Sequence, residues 1–524
     1  MKPKVSLIDF RDMRISPDTE YLGLAYLAAF LREHKITVTL SALDSAQDIA
    51  RQLRSLEQET TIYGFSIFHV NYDIVSQAAD LIKAHNANSF IVVGGFFATE
   101  YAALILADIP AIDGVVTGYG EMPLLQLVNS YPNRALLSAI PNLITRDHGD
   151  ENKDRQMVSS KPNLERWAAR DFIVQSSRRP SAIAHLIRKV GCSHRCSFCL
   201  TNNPGNHALK KIALRSTEDI LAEITSLNKR YGFRIFMFHD CPLDDYGKQG
   251  LKQLEELCDR LADDSHPYAF ECMINGRNFA NNNASIIGKM RKAGFSQVLF
   301  LLGSGNDGDI EIIKNQTGIV QMEILITAFQ NNDIEVMLEF FMLNPLSTLN
   351  SIRDNYAFLL RMKSYRLGDF MRKVPAYAGT PLFRIAKDRG LLREQYSYKY
   401  PYEYDYLHDY LQEVDHFFGS LSRESTIMIE DYRFQNLVYL TNWLKVLFPE
   451  TLFPYLNDIQ SIKSALHDMI QDYLKSIFIN CSILDAQRQL ADFTQAMEAL
   501  YKKATSLQFK IFRESDVKNY LLKR

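Results

Sequence analysis

Twice along the chain, short apolar runs alternate with amphipathic stretches, and that rhythm limits the fold more than any other feature. In residues 1 to about 132 the runs at 5–9, 36–40, 61–68, 90–93 and 114–117 have strand length. The stretch at 19–34 between the first two places Leu22, Ala25, Tyr26, Ala29 and Phe30 on one helical face. Five such βα units predict a doubly wound, flavodoxin-like parallel sheet. Sheets of this kind bind ligands beyond the carboxyl ends of their strands, at the topological switch point. The residues expected there are Asp9 to Asp12, Ser66 to Asn71, Gly94, Gly95 and Gly118 to Glu121. The second series has strands expected at 182–189, 235–238, 268–273, 297–302, 335–342 and 368–373, with helices between them. Six units fit a partial (β/α)6 barrel, and barrels of strands and helices carry their chemistry at the carboxyl end.

Directly after the first strand of that second series comes Cys192-Ser193-His194-Arg195-Cys196-Ser197-Phe198-Cys199. Three thiols spaced C-x3-C-x2-C can turn toward one centre, and thiolates are the soft ligands of iron–sulfur clusters and zinc. An all-cysteine cubane needs four ligands and the loop offers three, which leaves one iron open to a substrate. A structural zinc site would draw a fourth ligand from His194, His239 or Cys241, but the paired spacing usual for zinc is missing. Seven cysteines, an odd number, with no secretory signal, argue against a disulfide framework. Cys258, Cys272 and Cys481 are scattered and read as small buried apolar residues.

The octapeptide, with Gly191 before its first cysteine and Phe198 before its last, resembles the cluster loop of the radical S-adenosylmethionine enzymes. The resemblance implies a 4Fe-4S cluster on Cys192, Cys196 and Cys199, with S-adenosylmethionine chelated to the uncapped iron and reductively cleaved to a 5'-deoxyadenosyl radical. It implies contacts to S-adenosylmethionine from Phe198, Asp240, Arg277 and Ser304, each at or near the end of an expected strand. The guanidinium of Arg277 suits a carboxylate or a ribose. Residues 375–382 resemble the segment that closes the barrel in the cobalamin-associated branch. Two positions depart from the pattern: Gly303 stands where the family carries a glutamate, and Leu343 where it carries a glycine. Cys241 is a minor candidate for trapping or delivering a hydrogen atom.

The first series resembles the cobalamin-binding-like domain that precedes many of these enzymes. The matching features are Leu22-Gly23-Leu24-Ala25-Tyr26-Leu27, Gly64-Phe65-Ser66, Val93-Gly94-Gly95 and Gly118-x-Gly120-Glu121. Glycine lets backbone pass close to a large flat ligand. The resemblance implies cobalamin contacts at Asp9, Ser66, Asn71, Gly94, Gly95, Gly118 and Glu121. The D-x-H-x-x-G motif that supplies a cobalt-ligating histidine in some cobalamin proteins is absent, since Phe10, Arg11 and Asp12 follow Asp9. His69 lies near the expected pocket.

These readings divide the chain into a cobalamin-binding-like domain (1–132), a linker (133–180) holding a short β ribbon around Asp147 to Asp150, a radical barrel (181–395) and a helical cap (396–524). The cap opens on a tyrosine-rich acidic segment from Tyr396 to Tyr410, read as packing. A 47% hydrophobic, 23% charged chain with formal net charge -2 gives no electrostatic reason to invoke nucleic acid. No run approaches the ~18 apolar residues of a membrane span, and the thiol loop needs a reducing compartment, so a cytoplasmic location is expected. The expected function is cobalamin-dependent methyl transfer to an unactivated carbon of a biosynthetic intermediate. A small-molecule or peptide substrate and an external electron donor, such as flavodoxin or ferredoxin, go with it. A radical enzyme with a vestigial cobalamin domain, catalysing dehydration, epimerisation or rearrangement, and a zinc-stabilised binding protein are the alternatives.

Overall fold

The computed structural model describes residues 3–522 apart from 11–19, 21, 44, 46–47, 52–59, 147–163, 175–182, 204–205, 207–208, 264–266, 280–283, 315–316, 394–396 and 425–426. Its first sheet holds β1 (Lys4–Phe10), β2 (Val38–Leu43), β3 (Thr60–Ser66), β4 (Phe90–Gly94), β5 (Gly114–Val116) and β6 (Leu143–Thr145), in the order β2-β1-β3-β4-β5-β6. The first five are parallel, and the order reverses beside β1, which makes a switch point there. Helices α1 (Leu22–Glu33), α2 (Tyr72–His85), α3 (Phe96–Asp108) and α4 (Glu121–Ser130) cover both faces. Leu7, Val92 and Val116 pack beneath α1 and α4, while Ile8, Val93 and Val115 pack beneath α2 and α3. Burial on both faces is why these strands are continuous apolar runs with no alternation. Residues 143–145, expected in a linker ribbon, pair antiparallel with β5 and end the sheet. The polar turn from Asp147 to Asp150 lies outside the described residues.

The second sheet holds β7 (Ile183–Leu186), β10 (Ile235–Phe238), β11 (Ala269–Ile274), β12 (Phe295–Gly303) and β13 (Glu335–Phe340), all parallel, with neighbours in chain order. Two short strands, β8 (Lys189–Val190) and β9 (Ala213–Leu214), form an antiparallel pair at the end of β7. Helices α5 (Thr217–Tyr231), α6 (Gly247–Ala262), α7 (Ala284–Lys292), α8 (Asp307–Ile313), α9 (Ile319–Asn331), α10 (Leu349–Met362) and α11 (Pro381–Asp388) complete this part. At the sixth position, where a strand at 368–373 is expected, Leu367–Phe370 is a 3-10 turn. The Asp369 carboxylate accepts from both the backbone and the guanidinium of Arg366, which closes the turn, and Lys373 is left with a one-residue parallel bridge to Leu343.

The longer helices that follow are α12 (Asp409–Glu424), α13 (Ile427–Leu447), α14 (Leu456–Phe478), α15 (Ile483–Arg513) and α16 (Ser515–Leu522). Helix α13 lies against β11 and β12. Its Trp443 indole donates to Glu271 and its Asn442 amide to Gln297 at 3.0 Å. The tyrosine segment is a strap between the first sheet and the barrel. Tyr398 meets Tyr72, Lys399 pairs with Asp108 at 2.7 Å, and the Tyr404 hydroxyl donates to the Val374 carbonyl at 2.9 Å. Among the described residues, no helix is long and apolar enough to cross a membrane.

Candidate cofactor site

The cysteine loop begins right after β8 and is tied down from several directions. Gly191 has φ +81°, and a Cβ there would lie 2.4 Å from the Lys211 carbonyl, so only glycine lets this strand pass. The Ser197 amide donates to the Ile313 carbonyl at the end of α8, and the Ser197 carbonyl accepts from Leu382 in α11. The Lys210 ammonium donates to the His194 carbonyl at 2.7 Å, and Asn202 donates to the Cys196 carbonyl at 2.7 Å. All three thiols are half-buried and free. Burial pushes the Cys196 thiol up to about 12 and also raises Cys192, with the neighbouring cysteines adding to both shifts. Three sulfurs on a firmly held loop suit a ligand that supplies several positive centres.

Two polar atoms at this loop, the Ser197 hydroxyl and His194 Nε2, are buried without a hydrogen-bond partner among the described residues. No three His, Cys, Asp or Glu side chains among the described residues gather as a single-ion site would need. Three thiols from one short loop match the soft donor set of an iron–sulfur cluster that leaves one iron without a protein ligand. Phe198 packs edge-on against Phe341, with ring centroids 5.1 Å apart.

The other residues expected near S-adenosylmethionine fall in different surroundings. Asp240 is buried, and its Oδ1 accepts from the amides of Arg188 and Lys189, so it fastens β10 to the start of the loop. Ser304 is buried in a knot with Asp309 and Asn355. Arg277 is exposed beyond β11, and its charge helps hold the buried His194 below the usual imidazole range, after burial itself. Cys241 is exposed; the protein crowding it, then the charges of Cys192 and Cys199, oppose its ionisation.

A cavity of about 240 Å³ opens at the carboxyl edge of the first sheet. Five of the seven residues expected to contact cobalamin line it: Ser66, Gly94, Gly95, Gly118 and Glu121. Two do not. Asp9 is buried at the end of β1, outside the lining, and Asn71 accepts from the Phe68 amide at 2.7 Å and donates to the Ser66 carbonyl at 2.9 Å, shaping the turn after β3. Burial raises the Glu121 carboxyl at the start of α4 and pushes the Tyr119 phenol up to about 12. Gly23 also lines the cavity, and a Cβ there would meet nothing within 4 Å. A side chain at that position would fill the cavity instead of striking protein, as expected of a cradle for a ligand. A slot of this size takes one arm of a large ligand such as cobalamin, not the whole of it.

The same cavity is bounded by Ile187, just after β7, and by Val190 of β8, and Val190 is two residues before Cys192. The sequence match to the cobalamin-binding-like domain includes Gly23, Tyr26 and Leu27 without naming them as contacts, and it does not point to Ile187 or Val190. For the first three the one signal was the glycine within an otherwise good helix. Residues 375–382 also join the two halves: Ala378 accepts from Tyr101 of α3 at 2.8 Å and from Asn203 at 3.1 Å, and the Tyr377 hydroxyl lies 3.2 Å from His69 Nε2.

Comparison with known proteins agrees with this arrangement. Residues 13–128 match the B12 binding domain family. An uncharacterised methyltransferase of Pyrococcus horikoshii is 24% identical over 300 residues, 56% of this chain and 62% of that protein. The anaerobic magnesium-protoporphyrin IX monomethyl ester cyclase of Cereibacter sphaeroides is 22% identical over 361 residues, 66% of this chain and 56% of that one. The matches thus span about three fifths of these curated relatives. Among solved structures, the cobalamin-dependent S-adenosylmethionine radical enzyme OxsB with aqua-cobalamin bound superposes with a TM-score of 0.71 at 14% identity, covering 100% of this chain and 84% of that one. The radical S-adenosylmethionine methyltransferase TsrM from Kitasatospora setae gives 0.59 at 15% identity, over 75% and 77% of the two chains. Residues 13–128 thus match the B12 binding domain family, and the chain as a whole has the fold of the cobalamin-dependent radical S-adenosylmethionine enzymes OxsB and TsrM.

Proposed function

We propose that this protein is a cobalamin-dependent radical S-adenosylmethionine enzyme that transfers a methyl group to an unactivated carbon of a biosynthetic intermediate. The observation that carries the reading is the shared cavity wall: Gly94, Gly95, Gly118 and Glu121 at the carboxyl edge of the first sheet line it together with Ile187 and Val190, which follow β7, and Val190 is two residues from Cys192. When bound, the cluster and cobalamin supply reductive cleavage of S-adenosylmethionine and a transferable methyl group. Cys192, Cys196 and Cys199 would hold the cluster, with Ser197 beneath them as a buried hydroxyl able to donate toward a sulfur. Gly94, Gly95 and Gly118 would let the large cofactor approach backbone closely, and Glu121 would meet its amides. Phe198, packed edge-on against Phe341, would help keep water from the loop, as a primary carbon radical requires.

The test is anaerobic reconstitution with iron, sulfide and cobalamin, followed by turnover of S-adenosylmethionine under reduction. Iron and acid-labile sulfide near a cubane's content are expected, with S-adenosylhomocysteine formed in step with product. Zinc in place of iron, or no cleavage of S-adenosylmethionine, would overturn the reading. A second reading, radical chemistry without methyl transfer, is favoured by the altered Gly303 turn and by the cyclases among the relatives. Deoxyadenosine without S-adenosylhomocysteine would select it.

A further inference from the structure

The two faces of the barrel sheet are covered to different extents. Leu186, Phe238, Cys272, Val298 and Val336 stand in register on one face, none more than 2% exposed, in the core beneath the helices. One residue further on, Ile187, His239, Met273, Leu299 and Met337 continue the register, and strand alternation turns them to the other face. Met337 is buried, and the other four are half-buried.

Helices α13 and α14 close that face two residues lower. There Trp443 donates to Glu271, Asn442 donates to Gln297 at 3.0 Å, and Lys463 pairs with Glu335. Half-buried methionine and leucine in a sheet whose back is fully covered mark a space that an apolar ligand would fill. Two sets of contacts fix what that space adjoins. Ile187 also lines the cavity at the first sheet. Phe341, four residues beyond Met337, packs against Phe198 of the cysteine loop. Cys241, two beyond His239, is near enough to the loop for Cys192, Cys196 and Cys199 to oppose its ionisation.

His239 is the one polar side chain of the row. Its Nε2 shares a hydrogen bond with Nδ1 of His185, the ring centroids 4.5 Å apart, and its own Nδ1 has no protein partner among the described residues. Burial lowers the imidazole to about 4, so it is neutral at ordinary pH. A neutral imidazole with one nitrogen engaged has a single donor or acceptor left and no charge to offer.

We propose that His239 sets specificity for the reaction read above, hydrogen-bonding through Nδ1 to a hydroxyl of an otherwise apolar, uncharged substrate laid along Met273, Leu299 and Met337. The inference rests on that reading and supplies its substrate class. A hydroxyl both donates and accepts, so it suits either tautomer of the histidine pair. A carboxylate on this row would lose hydration and gain no cation from it.

The test titrates the full chain, reconstituted and carrying cobalamin, with three matched probes followed by fluorine NMR: para-fluorobenzyl alcohol, para-fluorotoluene and para-fluorobenzoate. The alcohol should bind about fivefold more tightly than the toluene, the worth of one hydrogen bond. The benzoate should bind more weakly than either. His239→Leu should bring the alcohol down to the level of the toluene and keep the toluene's own affinity, which also reports that the variant is folded. Leu299→Trp, which fills the row and keeps His239, should weaken the alcohol and the toluene alike. An alcohol preference that survives His239→Leu, a benzoate bound as well as the alcohol, or no binding by any probe overturns the proposal. Iron content and S-adenosylmethionine cleavage are measured on the same wild-type sample, and their failure overturns the function proposed above whatever the probes show.

Discussion

Arg170 donates to Glu223 of α5 at 2.6 Å, and neither side chain is more than 7% exposed. Its other terminal nitrogen donates to Glu20 at 2.7 Å, just before α1, and to the His185 carbonyl in β7. One guanidinium thus ties the first domain, the connecting segment and the barrel into one buried network, which Arg215 extends from the other side of Glu223 at 2.7 Å. Breaking a buried pair by removing one partner leaves uncompensated charge and costs about 3–5 kcal/mol. Arg170→Met should lower the urea midpoint accordingly, and adding Glu20→Gln should recover part of the loss. Equal midpoints for wild type and Arg170→Met would show that the network does not join the halves.

Cys192→Ala, Cys196→Ala and Cys199→Ala should each bring iron after reconstitution well below one cluster per chain, read by iron and sulfide analysis and by EPR after reduction. Cys241→Ala should keep its iron, because that thiol lies outside the loop and is exposed. Iron loss in Cys241→Ala would make it a ligand, and the loop would then no longer leave an open corner.

How much of this was legible follows from how local each feature is. The cysteine loop was, because its three thiols are close in sequence and follow a strand. The glycine-rich edge at Gly94, Gly95 and Gly118 was too, because parallel topology alone fixes where the carboxyl ends of strands lie. Ile187 and Val190 were not, since their place in the cavity depends on how the barrel docks. Asp240 and Ser304 sit at strand ends like ligands, yet their oxygens engage neighbouring backbone and side chains, and sequence carries no sign of that. The strand expected at 368–373 failed to form because the Arg366–Asp369 interaction closes a turn at its start. Nothing in the periodicity announced that α13 would lie along the barrel, although Asn442 and Trp443 are polar handles on a largely apolar helix.

Gly23 allows ligand binding to be separated from folding. It lies in the first turn of α1, where glycine costs up to about 0.5–1 kcal/mol against alanine. Gly23→Leu should therefore fold as well as wild type or slightly better. The added side chain would occupy the slot beside Gly94 and Gly118, and overlap with a seated ligand costs about 1–3 kcal/mol, or roughly tenfold or more in affinity. Equilibrium binding of cobalamin, followed by its visible spectrum, would decide. Unaltered affinity would mean that the cavity is not where cobalamin sits.

Glu271 should impose a pH dependence on stability. Burial in the sheet raises its carboxyl from an ordinary 4.5 to about 7, against the hydrogen bonds from Trp443 and Gln297 that lower it. The folded state then binds the proton more tightly than the unfolded one, so this contribution is whole below about pH 4.5 and is lost as pH rises toward 7. The loss is about 3 kcal/mol at most. Glu271→Gln keeps an acceptor for the Trp443 indole and removes the titration. Its unfolding free energy, compared with that of wild type between pH 5 and pH 8, should fall less steeply by about that amount. Parallel curves would mean that Glu271 ionises as easily in the folded chain as in the unfolded one.

Gly303 explains why the glutamate of the family pattern is missing. Its φ is +89°, a conformation that side chains rarely adopt, and a Cβ would lie 2.3 Å from the Ile313 side chain. Ile313 closes α8, and its carbonyl accepts the Ser197 amide in the cysteine loop, so the glycine lets α8 come close enough to hold the loop from below. Gly303→Glu, which restores the family residue, should therefore destabilise the protein by about 1–3 kcal/mol through strain and overpacking. It should also loosen the loop, seen as faster cluster loss to a chelator. Gly303→Glu with Ile313→Ala removes the clash but leaves the backbone strain and opens a cavity, so stability should return only in part. Full tolerance of Gly303→Glu, with chelation kinetics unchanged, would mean that α8 does not brace the cysteines and that the departure at this position has another cause.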